Sequence, residues 1–260
     1  MDGMVEHAFS SGDFQHVSYC NGIWEIRAES WSDFGELLFG SLSIVVDSND
    51  YFWRGQEAQW PLKSCLDRAT PPVDDESRER QLKEFIHAMR GNGRPKPPFP
   101  AKSPTDIDRW WSIGQHYELA TPFLDWTASP FIAAFFALAE IRKDGDPGER
   151  VVFALRKSFL DRHEAEIRAV DVYSDDNPRL IAQAGRFTKT NRTGESVEEL
   201  IGRTTISESG MQLLEIILPE SLKKPGLSAL NQMNINYRTM FPDTIGAAKY
   251  CNSQLHIDDP

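Results

Sequence analysis

The sequence has little of what marks several large classes of protein. Only three of its 260 residues are cysteine, Cys20, Cys65 and Cys251, an odd number without the spacing of a zinc site. The longest apolar run, Phe131 to Ala139, has nine residues, whereas a membrane helix needs about 20. We therefore expect no disulfide framework, no bound metal and no membrane span. The first ten residues include charged side chains and no apolar stretch, which predicts no signal peptide and a cytoplasmic location.

The chain also lacks the excess of positive charge that is typical of proteins coating nucleic acid. Its 28 basic and 39 acidic residues give a net charge of −11. Two segments depart from this balance, because residues 90–102 and 179–192 each carry four positive charges and no acid. These two segments are the candidate contacts for RNA or DNA. A charge run of this kind is, however, more often a solvated face.

Several motifs of known catalytic sites are missing. The sequence contains no phosphate-binding loop of the G-x-x-x-x-G-K-[ST] type and no G-x-G-x-x-G dinucleotide fingerprint. It also contains neither the zinc motif H-E-x-x-H nor the nucleophile elbow G-x-S-x-G. These absences make kinase, metalloprotease and esterase functions weak candidates.

The pattern of apolar residues predicts a mixed α/β domain in one piece. The helix that starts after Ser129 and Pro130 is apolar on nearly every face, so we expect it at the centre of the fold. Five prolines make 91–104 an extended loop. Residues 17–28 predict a strand pair, or a strand with a turn at Asn21 and Gly22. The other predicted strands are 51–55, 121–127, 151–155 and 213–218, and the other predicted helices are 30–42, 76–90, 106–118 and one after Pro242.

Four segments of unusual composition occur together. They are Phe-Trp-Arg-Gly-Gln at 52–56, Gln-His-Tyr through Asp-Trp-Thr-x-Ser-Pro at 115–130, Arg-x-x-x-Gln-x-Gly at 179–185, and Phe-Pro-Asp at 241–243. In this order and spacing they resemble the FRG domain family, named for its aromatic-Arg-Gly motif. The resemblance covers about 30–250, which predicts a single FRG domain over 1–260 with an N-terminal extension at 1–29.

The same residues resemble, more distantly, the arginine-serine-glutamate class of ADP-ribosyltransferases. That resemblance implies a split central sheet flanked by helices, with NAD as the substrate and no metal. It implies that Arg54 meets the NAD phosphates or ribose, beside Gly55 and Gln56, and that Thr127 occupies the serine-motif position. The carboxamide of Gln183 is a candidate for recognising the adenine or nicotinamide amide.

The glutamate of that class's third motif is missing, because nothing after Thr188 fits it. Another carboxylate must replace it if the protein is a transferase. Asp125 is the first candidate, with Glu57, Glu118 and Glu215 behind it. Asp125 projects from an apolar strand, so burial should raise its pKa unless it is paired.

Three residues are therefore candidate catalytic residues, each with a structural alternative. Arg54 needs a permanent partner, which a bound diphosphate or an ion pair with Asp125 would supply equally well. Asp125 is a general base or ribose anchor, or else a helix cap or salt-bridge partner. His116 titrates near neutral pH, or else fastens a loop.

The resemblance implies an enzyme that transfers ADP-ribose to nucleic acid or protein. Proteins of the FRG kind often look like toxins of bacterial toxin–antitoxin or anti-phage systems, which would add an antitoxin as partner. The alternative is a non-catalytic module that senses a nucleotide or binds a partner, which the missing glutamate favours. Neither the acceptor nor the oligomeric state follows from the residues.

Overall fold

The computed structural model describes residues 17–40, 48–90, 97, 100–101, 103–139, 148–171, 178–205 and 210–257. The end of the helix expected over 30–42 and most of the loop expected over 91–104 lie outside these ranges. The N-terminal extension is described only from residue 17 onward.

One mixed sheet of eight described strands organises the chain, in the order β1-β2-β8-β5-β3-β4-β7-β6. The pair β2 and β8 is parallel and the other neighbours are antiparallel. The expected mixed α/β class is confirmed. The strands are β1 (Val17–Cys20), β2 (Ile23–Arg27), β3 (Tyr51–Gln56), β4 (Leu124–Thr127), β5 (Arg150–Arg156), β6 (Ile167–Val170), β7 (Gly185–Thr190) and β8 (Leu213–Leu218).

Helices cover the sheet on both faces. Several helices begin at a capping side chain; Ser30, for example, forms a reciprocal capping box with Asp33. The helices are α1 (Trp31–Phe39), α2 (Asp75–Ala88), α3 (Pro104–His116), α4 (Pro130–Ala139), α5 (Lys157–Arg162), α6 (Pro178–Ala182), α7 (Val197–Thr204), α8 (Lys223–Gln232), α9 (Tyr237–Met240) and α10 (Thr244–Ile257).

The apolar helix α4 lies at the centre, as its composition predicts. It packs on one face of the sheet together with α1 and α8, where Trp53 and Ala154 are fully buried. The opposite face is covered by α5 and α7, which pack on Phe153 and Ile217. Alternate residues of each strand serve the two faces, because side chains of a strand point to opposite sides.

The expected elements agree with the structure except at a few ends. The strand expected from Thr121 begins only at Leu124, since Pro122 has no amide hydrogen for a ladder. The helix expected to reach residue 118 ends at His116, where Glu118 adopts φ +65° and the chain turns. The turn at Asn21 and Gly22, both with positive φ, is confirmed.

The join between β3 and β4 is the narrowest in the sheet. These two strands pair only at Trp53 and Thr127 among the described residues, whereas β3 and β5 pair at six positions. Beyond that pair the strands separate on the side of Arg54 and Asp125. The sheet is therefore continuous, with a gap that resembles the expected split.

Among the described residues, no helix is both long and apolar enough to span a bilayer.

Gly55 is where the sheet and the central helix come closest. A Cβ atom at this position would lie 1.8 Å from the carbonyl oxygen of Ala133 and 2.6 Å from the amide nitrogen of Ala137. Both atoms belong to the backbone of α4 and cannot rotate away. The sequence marks Gly55 as a cofactor contact; the structure shows that its missing side chain is needed for helix packing.

Gly55→Ala is therefore expected to lower the free energy of unfolding by about 1–3 kcal/mol or more, since an added methyl group overpacks the α4 contact. Gly35→Ala is the matched control, because a Cβ atom there meets nothing within 4 Å in the middle of α1. That control should gain roughly 0.5–1 kcal/mol from its helix propensity. Urea denaturation of both variants measures the difference, and equal stabilities would contradict the packing role of Gly55.

Candidate functional site

A cavity of about 470 Å³ opens where β3 and β4 separate. Every residue that the sequence marks as catalytic or cofactor-binding lies in its wall, although their roles stay predictions. The wall also contains aromatic rings and two further arginines. The lining residues are Trp53, Arg54, Gly55, Gln56, Glu57, Trp60, Arg68, Ser112, Gln115, His116, Asp125, Trp126, Thr127, Phe136, Arg179, Leu180, Gln183, Gly185, Phe187 and Phe241.

Arg54 lies on β3 with its guanidinium held on two sides. Its Nη1 donates to the backbone carbonyl oxygen of Asp125 at 2.7 Å, and its Nε donates to Oε1 of Gln56 at 3.1 Å. Within the described residues it forms no ion pair, so the structural alternative of a direct salt bridge with Asp125 is absent there. Burial lowers the pKa of Arg54, and the charge of Asp125 opposes that effect. The cation is thus positioned by neutral groups.

Gln56 is buried and uses both ends of its amide within the protein. Its oxygen accepts from Arg54, and its Nε2 donates to the backbone oxygen of Trp60 at 2.7 Å. The sequence marks Gln56 as a cofactor contact. The structure gives it a positioning role, because it aligns Arg54 and ties the segment that carries Trp60 to β3.

Asp125 projects from β4 into the cavity, where its side chain is exposed to the cavity space but surrounded by protein. Nε2 of Gln115 donates to its Oδ1, and Oε1 of Gln115 accepts from the Thr121 hydroxyl at 2.5 Å. Burial raises the pKa of Asp125, while the charge of Arg54 and the Gln115 hydrogen bond lower it. The expected direction is confirmed.

Thr127 and Gln183 connect the two sides of the gap. The Thr127 hydroxyl donates to the backbone oxygen of Gln183 at 2.7 Å and accepts from the amide of Ser129 at 3.2 Å. Nε2 of Gln183 donates to the backbone oxygen of Met240 at 3.0 Å. These groups hold α6, β4 and α9 together, so any contact they make with a ligand comes in addition to a structural role.

His116, at the last residue of α3, also lines the cavity. Its ring is half-buried and packs edge-on against Tyr117, with ring centroids 4.9 Å apart. This packing is what a loop-fastening histidine would do, and it leaves the catalytic interpretation as a prediction.

Two arginines that the sequence analysis did not mark as site residues complete the positive charge of the cavity. Arg68 is exposed, and its charge reaches both Arg54 and Asp125. Arg179 pairs with Asp243 at 2.5 Å and lies 5.4 Å from the ring centre of Phe241. Arg68 follows the aromatic-Arg-Gly motif and Arg179 opens the third motif, so the motifs themselves were the available signal.

The four carboxylates considered for the missing glutamate lie in different places. Asp125 and Glu57 line the cavity, whereas Glu118 and Glu215 do not. Glu215 is buried on β8, where Nε2 of Gln59 donates to it at 2.7 Å. Burial, followed by the charges of Glu198 and Glu25, raises the pKa of Glu215 to about 7, against the Gln59 hydrogen bond that lowers it. Its strand position made it a candidate, but the strand lies two places from β3.

The positive segment 179–192 is partly neutralised by acids from elsewhere in the chain. Arg179 pairs with Asp243, and Arg192 lies 3.9 Å from a carboxylate oxygen of Glu166. Burial lowers the pKa of Lys189, and the charge of Asp108 raises it. The other positive segment, 90–102, lies largely outside the described residues.

In the part of the chain that the structure describes, no group of three or more metal-ligating side chains could hold a metal ion.

Residues 49–146, which carry the first part of this site, match the family model of the FRG domain. Arg54, His116, Asp125 and Thr127 lie within the matched range, whereas Arg179, Gln183 and Phe241 close the cavity from outside it. Searches of curated proteins and of solved structures find no significant match to the chain.

Gln115→Leu is expected to raise the pKa of Asp125, because the amide hydrogen bond stabilises the ionised carboxylate. Titration of the side-chain carboxyl carbons by NMR measures the shift. Gln59→Leu is the matched control, since Gln59 donates to Glu215 instead. Gln115→Leu should move the pKa of Asp125 and not that of Glu215. Gln59→Leu should leave Asp125 unchanged, because Gln59 donates to Glu215 and Glu25. An Asp125 pKa that is unchanged in Gln115→Leu would contradict the assignment.

The raised pKa of Glu215 predicts that the free energy of unfolding falls as the pH rises. Its pKa is about 7 in the folded chain against an ordinary value of 4.5, so folding favours the protonated form. Stability from this group is complete below pH 4.5 and is lost as the pH rises through about 7. Glu215→Gln should flatten that decline, gaining on the order of 1–3 kcal/mol over wild type at pH 8.

Chemical denaturation between pH 5 and pH 8 measures this difference. Glu84→Gln, an exposed position in α2, should keep the wild-type profile. Parallel profiles for wild type and Glu215→Gln would argue against the shifted carboxyl.

Proposed function

We propose that the cavity between β3 and β4 binds NAD through its diphosphate and that the protein transfers ADP-ribose to a macromolecule. The observation that carries the proposal is Arg54, a half-buried cation held by a carbonyl and an amide instead of a carboxylate. Among the described residues no carboxylate bonds the guanidinium directly, and a diphosphate would do so with bidentate hydrogen bonds. Arg68 adds a second cation at the same opening.

The rest of the cavity suits the two heterocycles of a dinucleotide. Trp60, Phe136 and Phe241 provide apolar ring faces in its wall. The amides of Gln115 and Gln183 lie among them, and amide groups pair with the donors and acceptors of adenine or nicotinamide. A volume of about 470 Å³ falls within the usual range of ligand sites, which is about 300–1,000 Å³.

In the proposed reaction the bond between C1′ of the ribose and the nicotinamide nitrogen breaks, and its electron pair leaves with neutral nicotinamide. A bond then forms between C1′ and a nucleophilic oxygen or nitrogen of the acceptor, which loses a proton. In this proposal Asp125 stabilises the positive charge on the ribose and takes that proton. Its pKa, raised by burial, favours proton acceptance.

The resemblance to ADP-ribosyltransferases supports this chemistry and implies a biological setting. The acceptor would be RNA, DNA or protein, and the protein would act as a toxin restrained by an antitoxin in a toxin–antitoxin or anti-phage system. Expression should then arrest growth, and Asp125→Ala should relieve the arrest.

A second candidate is a nucleotide-sensing module without turnover. One observation favours it: the carboxylate of Asp125 already accepts from Gln115 and faces the charges of Arg54 and Arg68. A carboxylate arranged in this way could serve as a fixed counter-ion instead of a base.

Purified protein incubated with labelled NAD and with RNA, DNA or protein acceptors tests both candidates. Arg54→Ala should weaken NAD binding at least tenfold, or about 1.4 kcal/mol, because the diphosphate loses its bidentate partner. Asp125→Asn should keep NAD binding but abolish nicotinamide release, since the amide retains shape and lacks the charge. Arg80→Ala, at an exposed position of α2, is the matched arginine control and should behave as wild type.

The outcomes separate the candidates. NAD binding that needs Arg54, without transfer or nicotinamide release over hours, would replace the transferase by the sensing module. NAD binding that is equally tight in wild type and Arg54→Ala would overturn both.

A further inference from the structure

A second cavity, of about 780 Å³, lies between the end of α4, the start of α8 and the helices α9 and α10. It shares no lining residue with the first cavity, between β3 and β4. Its walls come from residues 135–139 and 220–254, most of them outside the family match. Nothing in the sequence motifs or in the proposed function uses it.

Positive charge dominates the described lining of this second cavity. It contains Lys223, Lys224 and Lys249 against a single carboxylate, that of Glu220. Glu220 is already engaged, because its Oε2 accepts from Nε of the buried Arg150 at 2.7 Å. Its other oxygen lies 3.8 Å from Nζ of Lys223. Burial and then the charge of Arg150 lower the pKa of Lys223, whereas the charges of Glu220 and Glu57 raise it. An anion in the cavity would pair with these ammonium groups.

The remaining wall is apolar and aromatic. Phe135 and Tyr237 meet edge to face with ring centroids 5.2 Å apart, and Leu227 and Ile235 extend this surface. Such a wall favours a ligand with a planar, weakly polar body. A free inorganic anion would leave it without a contact.

Side-chain amides stand between the charged and the aromatic parts. Asn252 and Gln254 belong to α10, and Nε2 of Gln254 is buried with no acceptor among the described residues. An unsatisfied donor of this kind calls for a partner, because buried polar groups in native proteins are nearly always hydrogen-bonded. Acceptors on the ring edge of a heterocycle would provide one.

Taken together, cations, amides and an aromatic wall match one class of small molecule. We propose that the second cavity binds a nucleoside phosphate, with the phosphate among Lys223, Lys224 and Lys249 and the base against the apolar wall that includes Leu227 and Ile235. The site is separate from the one proposed for NAD and does not depend on that proposal. The two cavities lie close together. Nζ of Lys249, which lines the second cavity, lies 5.3 Å from the ring centre of Tyr237 and 5.5 Å from that of Phe241, and Phe241 lines the first cavity.

Calorimetric titration of the full chain with ADP, GDP, CDP and UDP tests the proposal, with inorganic phosphate and adenosine as separate probes. At least one nucleotide should bind, and Arg54→Ala should retain that binding because it alters only the first cavity. The double variant Lys224→Gln/Lys249→Gln should weaken it at least tenfold. Both lysines are exposed, so folding should persist, and an unchanged thermal unfolding midpoint verifies that. Lys83→Gln, an exposed lysine of α2, is the matched control and should bind as wild type.

Three results would overturn the proposal. The first is that none of the four nucleotides binds. The second is that binding depends on Arg54 and is unaffected by the double lysine variant, which would place it in the first cavity. The third is that inorganic phosphate or adenosine alone binds as tightly as the nucleotides, which would remove the role of the base or of the charge.

Discussion

The close approach of α4 to β3 at Gly55 is the contact on which the rest of the structure depends. The helix is apolar on nearly all sides and can be buried only against the middle of the sheet. Its backbone lies so near β3 that no side chain fits at Gly55. This contact fixes the position of β3 against the helix, and therefore fixes where Arg54, the residue before Gly55, can place its guanidinium. The packing contact and the candidate site residue occupy neighbouring positions of one short strand.

The electrostatics of the cavity follow from that arrangement. Arg54 is oriented by neutral groups on both sides, Gln56 and the carbonyl of Asp125. The carboxylate of Asp125 is turned to Gln115. The site thus keeps a cation and an anion close together without joining them in a direct ion pair among the described residues. A direct pair would use the hydrogen-bonding groups of both side chains on each other, whereas here Gln56, Gln115 and a backbone carbonyl orient them.

The long or strongly patterned elements were predictable from the sequence. The strand at Tyr51, the helix from Pro130 and the strands β5 and β8 agree with expectation to within a residue or so, since each has a clear apolar pattern or a proline–serine boundary. The short elements between residues 157 and 204 were not predicted. Strands such as β6 and β7 have four to six residues and little apolar periodicity, so only pairing within the sheet defines them.

For the site, the sequence by itself determined the chemistry: the types of side chain and the short motifs that hold them, including Arg54, Asp125 and Gln183. Only the tertiary structure decided which groups share a cavity. Glu57 and Glu215 looked equally eligible from their positions, yet one lines the cavity and the other is buried two strands away. The reason is that strand order and the facing of side chains arise from pairing between distant segments. A linear pattern names the groups but does not contain the distances between them.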